Sequence, residues 1–124
     1  MAKKINHLLK TKGNYAVAGT MWIEYEGERC FGPGRMELLQ WIEKTGSINK
    51  AAKEMGMSYK KAWNMVNDLN SQWNQPMVIT QSGGESGGGS ILTEAAIALM
   101  AYHTSMRQRF IKFLADEKQK LLSL

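Results

Sequence analysis

Cysteine is all but missing from these 124 residues: the single Cys30 permits no internal disulfide, which suits a reducing compartment. Histidine is nearly as scarce. His7 and His103 stand far from Cys30 and from each other, so nothing has metal-ligand spacing and no metal site is expected. No Ser, His and Asp constellation and no glycine loop ending in Lys is visible, so neither catalysis nor a cofactor is expected. No apolar run approaches the roughly 20 residues of a membrane span, and the N-terminus does not read as a secretory signal. A cytoplasmic protein without membrane contact is the expectation. Acidic residues are the minority, 11 Asp and Glu against 16 Lys and Arg, for a formal net charge of +5. Five of those acids, Glu24, Glu26, Glu28, Glu37 and Glu43, crowd the first third of the chain, so the positive charge is localised further on and suits an anionic partner. The nine Met and four Trp are read as packing residues, and the length allows one core.

What is present is most distinctive between Ser47 and Leu69, SINKAAKEMGMSYKKAWNMVNDL. Gly46 suits the positive φ that ends one helix, and Ser47 can cap the next through its hydroxyl. Ile48, Ala51, Ala52 and Met55 then recur at helical spacing, and the Ala pair lets a second helix approach closely. Gly56 marks a turn and Ser58 a second cap. Ala62, Met65, Val66, Leu69 and Trp73 form the apolar side of the helix that follows, expected over 58–73. At 100° per residue the opposite side carries Lys60, Asn64, Asn67 and Ser71, with Lys61 and Trp63 on its flanks. Asn suits adenine in a major groove, and Lys suits guanine or phosphate. Two lysines alone would mark an ordinary solvated face; the capped, Ala-rich helix before them turns the reading toward a DNA-reading helix pair.

Met77 to Gln81 reads as a strand, Ser82 to Ser90 as a loop holding five glycines, and Ile91-Leu92 as a returning strand, which together make a wing at 77–92. The loop is either a linker or a bare backbone whose N–H groups at Gly83, Gly84, Gly87 and Gly88 approach phosphates. Pro76 fits between helix and strand. Upstream, Arg35 to Thr45 reads as another helix, and Gly32-Pro33-Gly34-Arg35 is a turn into it, with a phosphate seat as the alternative. Met21, Ile23 and Tyr25 alternate with Glu24 and Glu26, and Gly27 turns the chain into Glu28 to Phe31, so a hairpin with one apolar face is expected. From Thr93 to about Leu121 there is neither Gly nor Pro. A helix of that length would span about 42 Å, more than so small a domain can cover. Its stripe of Leu99, Met106, Phe110 and Phe113 therefore predicts pairing with a second copy, a frayed tail being the alternative. The expected organisation is an N-terminal segment over 1–18 that joins the interface or stays disordered, a winged helix-turn-helix over 19–92, and a dimerisation helix over 93–124. The fold class is mainly α with a small β component.

The run Gly32-Pro-Gly-Arg-Met-Glu-Leu-Leu, then Thr45-Gly-Ser-Ile, Ala51-Ala, Met57-Ser-Tyr-Lys-Lys-Ala-Trp and SGGESGGGSILT resembles the N-terminal domain of the molybdate-responsive transcriptional regulators, a LysR-like winged helix. The resemblance covers about residues 19 to 102. It implies a prokaryotic, dimeric DNA-binding domain with the second helix of the pair in the major groove, and places Ser58, Tyr59, Lys60, Lys61 and Trp63 in the motif that approaches DNA. With Ser47, Asn64, Asn67 and the wing glycines, these are the candidate site residues. Members of that family continue into oxyanion-binding domains where this chain ends, so a stand-alone regulator with no evident small-molecule effector is expected. Glu85 stands where the family's wing is usually basic and Ser86 where it has glycine, which weakens the expected wing contact with phosphate more than the groove contact. The alternative reading is a winged helix that dimerises, binds a protein partner and leaves DNA alone.

Overall fold

The structure, a computed structural model, describes residues 4–81 and 89–123. Its elements are a 3-10 turn at Asn6–Leu8, strands β1 (Ile23–Tyr25) and β2 (Glu28–Phe31), helices α1 (Pro33–Thr45), α2 (Ile48–Glu54) and α3 (Tyr59–Ser71), strands β3 (Val78–Gln81) and β4 (Gly89–Leu92), and helix α4 (Glu94–Ser123). The chain forms two compact units, one of residues 22–103 and one of residues 1–21 with 104–124.

The first unit is a winged helix-turn-helix. Its core joins Phe31, Leu38, Leu39, Ile42, Ala51, Ala52, Ala62, Val66, Leu69, Val78, Ala96 and Met100, which come from β2, all four helices and β3. Helix starts and stops follow local chemistry. Pro33 occupies the first turn of α1, where its missing N–H costs nothing and its φ is already helical, so the helix begins two residues before the expected Arg35. Gly46 ends it at φ 70°, donating its N–H to the Ile42 carbonyl at 2.7 Å. The Ser47 hydroxyl accepts from Lys50 N–H and the Ser58 hydroxyl from Lys61 N–H, each at 3.1 Å, so both expected caps are formed. Ala51 and Ala52 are fully covered where α2 packs on α1 and α3. Helix α3 ends at Ser71 with Gln72 as its cap; Trp73, expected on the helix, packs against the core from the loop beyond it.

The upstream hairpin closes through Glu26 and Gly27, both at positive φ, the backbone of a two-residue turn. A bulge opposite Ile23 and Glu24 leaves Cys30 as the extra residue of β2, so that neighbours Cys30 and Phe31 are both buried. The single apolar face expected from alternation is therefore broken. Tyr25 is 57% exposed. Trp22 instead packs its ring under the Arg29 guanidinium at 3.6 Å and donates its indole N–H to Glu24 at 2.7 Å.

The wing strands pair antiparallel from Val78 with Leu92 to Gln81 with Gly89. Both strands are fastened at the base. Asn70, on the last full turn of α3, accepts from the N–H groups of Met77 (2.8 Å) and Val78 (3.0 Å) and donates to the Val78 carbonyl (3.0 Å). Ser90 donates its N–H to the carbonyl of Gly46 at 2.9 Å, which seats β4 on the end of α1. Thr93 then caps α4, its hydroxyl accepting from Ala96 N–H at 3.1 Å and donating to the Pro76 carbonyl at 2.8 Å.

The division between units falls inside α4, after His103. Ahead of it, Ala96, Met100 and His103 are buried in the winged helix, His103 with its ring edge-on to Phe31 at 5.1 Å. Leu99 also packs against that core. In the second unit Phe110 and Phe113 stack at 6.4 Å, and the N-terminal segment crosses Phe110 so closely that a Cβ at Gly19 would lie 3.2 Å from its ring. Ile5, Val17, Phe113 and Leu121 line an apolar groove in the same unit.

Candidate nucleic-acid interface

Helix α3 turns Ala62, Val66 and Leu69 into the core, and this fixes what its other side can present. Lys60, Asn64, Asn67 and Ser71 project together and are all exposed. Lys61 flanks them on one side. Tyr59 and Trp63 flank them on the other, 51% and 44% exposed. The expected ridge is therefore open to solvent along the whole helix. The N-terminal half of α3 carries no acidic residue, and Asp68 in its C-terminal half is engaged by Arg35 of α1 at 3.4 Å. Lys50 and Lys53 of α2 are exposed as well, so with Lys60 and Lys61 the helix pair presents four cations, against exposed Glu54 at the end of α2 and Asp68 paired with Arg35.

The two serines among the candidates have structural work as caps. A hydroxyl that accepts can still donate, so capping leaves each able to meet a phosphate oxygen. Ser58 is exposed, Ser47 half-buried. Ser47, Ile48 and Asn49 at the start of α2, Tyr59 at the start of α3, and Thr80, Gly89 and Ser90 of the wing line one open cleft of about 480 Å³. Among the described residues its lining holds hydroxyls, an amide and backbone, and no acid. Asn49 and Thr80 were not among the residues singled out from sequence. Asn49 is exposed on α2, where the sequence pattern marks only the packing face, and Thr80 is exposed on β3, a strand of four residues too short for its pattern to separate outward from inward. Of the remaining candidates, Gly83, Gly84, Gly87 and Gly88, together with Glu85 and Ser86, lie outside the described residues.

Cys30, the bulge residue of β2, is buried, and that burial pushes its thiol pKa up, with the Arg35 guanidinium pulling against the shift. A thiol so placed is a packing group, poor as a nucleophile. Among the described residues no three His, Cys, Asp or Glu side chains gather as a metal site, and no helix is long and apolar enough to cross a membrane.

Comparison with known proteins agrees with this geometry. The chain is 38% identical over 99 residues to the molybdenum-pterin-binding protein MopB of Rhodobacter capsulatus, a match covering 80% of this chain and 36% of that protein. It is 39% identical over 101 residues to the transcriptional regulator ModE of Yersinia pestis, covering 78% and 38%. The DNA-binding transcriptional dual regulator ModE of Escherichia coli is 35% identical over 88 residues, covering 68% and 34%. The chain thus spans little more than a third of the length of these relatives. The pattern described as bacterial regulatory helix-turn-helix protein, lysR family, matches residues 34–97, which run from the start of α1 into the first turn of α4. That span is just over half of the chain, and the protein belongs to this family of bacterial helix-turn-helix regulators.

Proposed function

We propose that this protein binds specific duplex DNA sequences and regulates transcription, with α3 in the major groove and the cleft beside the wing against the flanking backbone. The observation that carries the reading is the exposed ridge of Lys60, Asn64 and Asn67, three side chains able to meet base edges, on a helix whose other side is committed to the core. Tyr59, Lys61 and Ser58 at the start of α3, and Ser47 and Asn49 at the start of α2, supply donors for phosphate oxygens. The names of the similar proteins, which include transcriptional regulators, support the same function. It acts in the cytoplasm.

We further propose that it acts as a homodimer through the C-terminal half of α4, with Met106, Phe110 and Phe113 at the contact and Leu99 at its edge. A dimer of winged helices suits an operator of two related half-sites about one helical turn apart.

The test is duplex binding at graded salt. Each phosphate contact releases counterions, so affinity falls steeply as salt rises, and replacing Lys60 and Lys61 together by Ala lowers the slope of log affinity against log salt by about one for each lysine that meets a phosphate. A double variant that binds every duplex as the parent does would remove the assigned surface. A tight protein complex with no affinity for any duplex would replace the reading by a protein-interaction module.

A further inference from the structure

Trp63 is not needed by the core of α3, which Ala62, Val66 and Leu69 already supply, and it stands 44% exposed beside Tyr59 on a surface whose other residues are lysine, asparagine and serine. Its direction is defined by its neighbours. At 100° per residue Tyr59, Trp63 and Asn70 share one flank of the ridge, and Lys61 and Asp68 share the other. The Tyr59 end of that flank lines the cleft with Thr80 and Gly89, and the Asn70 end is bonded to β3. Trp63 therefore sits between the groove-facing ridge and the wing, one turn along from Tyr59, with Asn64 and Asn67 beside it.

An exposed indole in a cationic, amide-rich surface calls for an apolar group inside an anionic partner. A protein partner of that chemistry would present acids to Lys60 and Lys61 and an apolar side chain to Trp63. DNA offers the combination with fewer requirements. Its major groove is lined with donors and acceptors, flanked by phosphate, and holds one apolar group, the C5 methyl of thymine. We propose that Trp63 is a specificity-determining residue that packs its ring on a thymine methyl in the major groove, so that each half-site holds a required thymine one turn of α3 from the base met by Lys60. This rests on the DNA-binding reading above and assigns within it a base and a side chain.

The test begins with duplexes enriched by the protein from a random pool. In an enriched duplex each thymine is replaced in turn by uracil, which pairs identically and lacks only the methyl. At one position in each half-site uracil weakens binding by about fourfold, the value of one buried methyl. Trp63→Ala binds thymine and uracil duplexes equally at that position, Trp63→Leu recovers part of the difference, and both melt as the parent does. Uracil tolerated by the parent at every position overturns the inference while leaving DNA binding intact. So does a Trp63→Ala variant that keeps the parent's thymine preference. Failure of the parent to enrich any duplex overturns both readings together.

Discussion

Asn70 does the most with one side chain. Its amide satisfies two backbone N–H groups and one carbonyl where β3 leaves the loop after α3, so a half-buried side chain sets where the wing starts relative to the recognition helix. Truncation would leave those groups to find water or remain unpaired, at about 1–3 kcal/mol for the latter. Asn70→Ala is expected to lower the unfolding free energy read from a urea titration by an amount in that range. Asn70→Asp, which keeps the acceptor and loses the donor to Val78, should lose less, and equal losses for the two variants would show that the accepting bonds carry no weight. Nothing in the sequence pattern marks Asn70 out. It stands among Asn64, Asn67 and Asn74, and only the path of the chain seven and eight residues later distinguishes it. The ridge residues were legible for the opposite reason: their direction depends only on helical phase against Ala62, Val66 and Leu69.

Elements were read well where their ends carry their own chemistry. Ser47, Ser58 and Gly46 each act through atoms within four residues, so α2, the start of α3 and the end of α1 could be placed from local sequence. The hairpin was read less well. Its bulge depends on how Cys30 and Phe31 meet the core, a tertiary matter that overrides strict alternation at Tyr25. Gly46 joins the two levels, since its αL conformation ends α1 while its carbonyl receives Ser90 from the wing. A Cβ at Gly46 meets nothing within 4 Å, so Gly46→Ala would act through the backbone alone. The expected cost is about 1–2 kcal/mol from the left-handed conformation. Denaturant unfolding should report it, and a neutral result would mean that the chain relaxes away from φ 70° without harm. Because Gly89 passes the same carbonyl closely, such a relaxation should also weaken duplex binding.

At the scale of the whole molecule, α4 continues for twenty residues past the winged-helix unit. Thirty residues make a helix of about 45 Å, and Ala96, Met100 and His103 bind only its first third to the compact unit of 22–103. The apolar stripe read from sequence divides accordingly: Leu99 belongs largely to that core, Phe110 is partly covered by the chain's own segment at Gly19, and Phe113 is 54% exposed. That division was not legible, because it depends on an N-terminal segment whose weak periodicity said nothing about where it packs. Exposed Phe113, on the same face of the helix as Met106 and Phe110, is the surface that the proposed homodimer would bury. Phe113→Glu sets a charge there without disturbing any residue of the winged-helix core. The expected outcome in sedimentation equilibrium is a fall from twice the chain mass to the chain mass, with an unchanged melting transition for the winged helix. On DNA the variant should bind a single half-site as the parent does and lose the gain from a second half-site, because that gain comes from linking two modules. If Phe113→Glu remains a dimer and still gains from the second half-site, the contact lies elsewhere, and the exposed phenylalanine needs another explanation than a second copy of the chain.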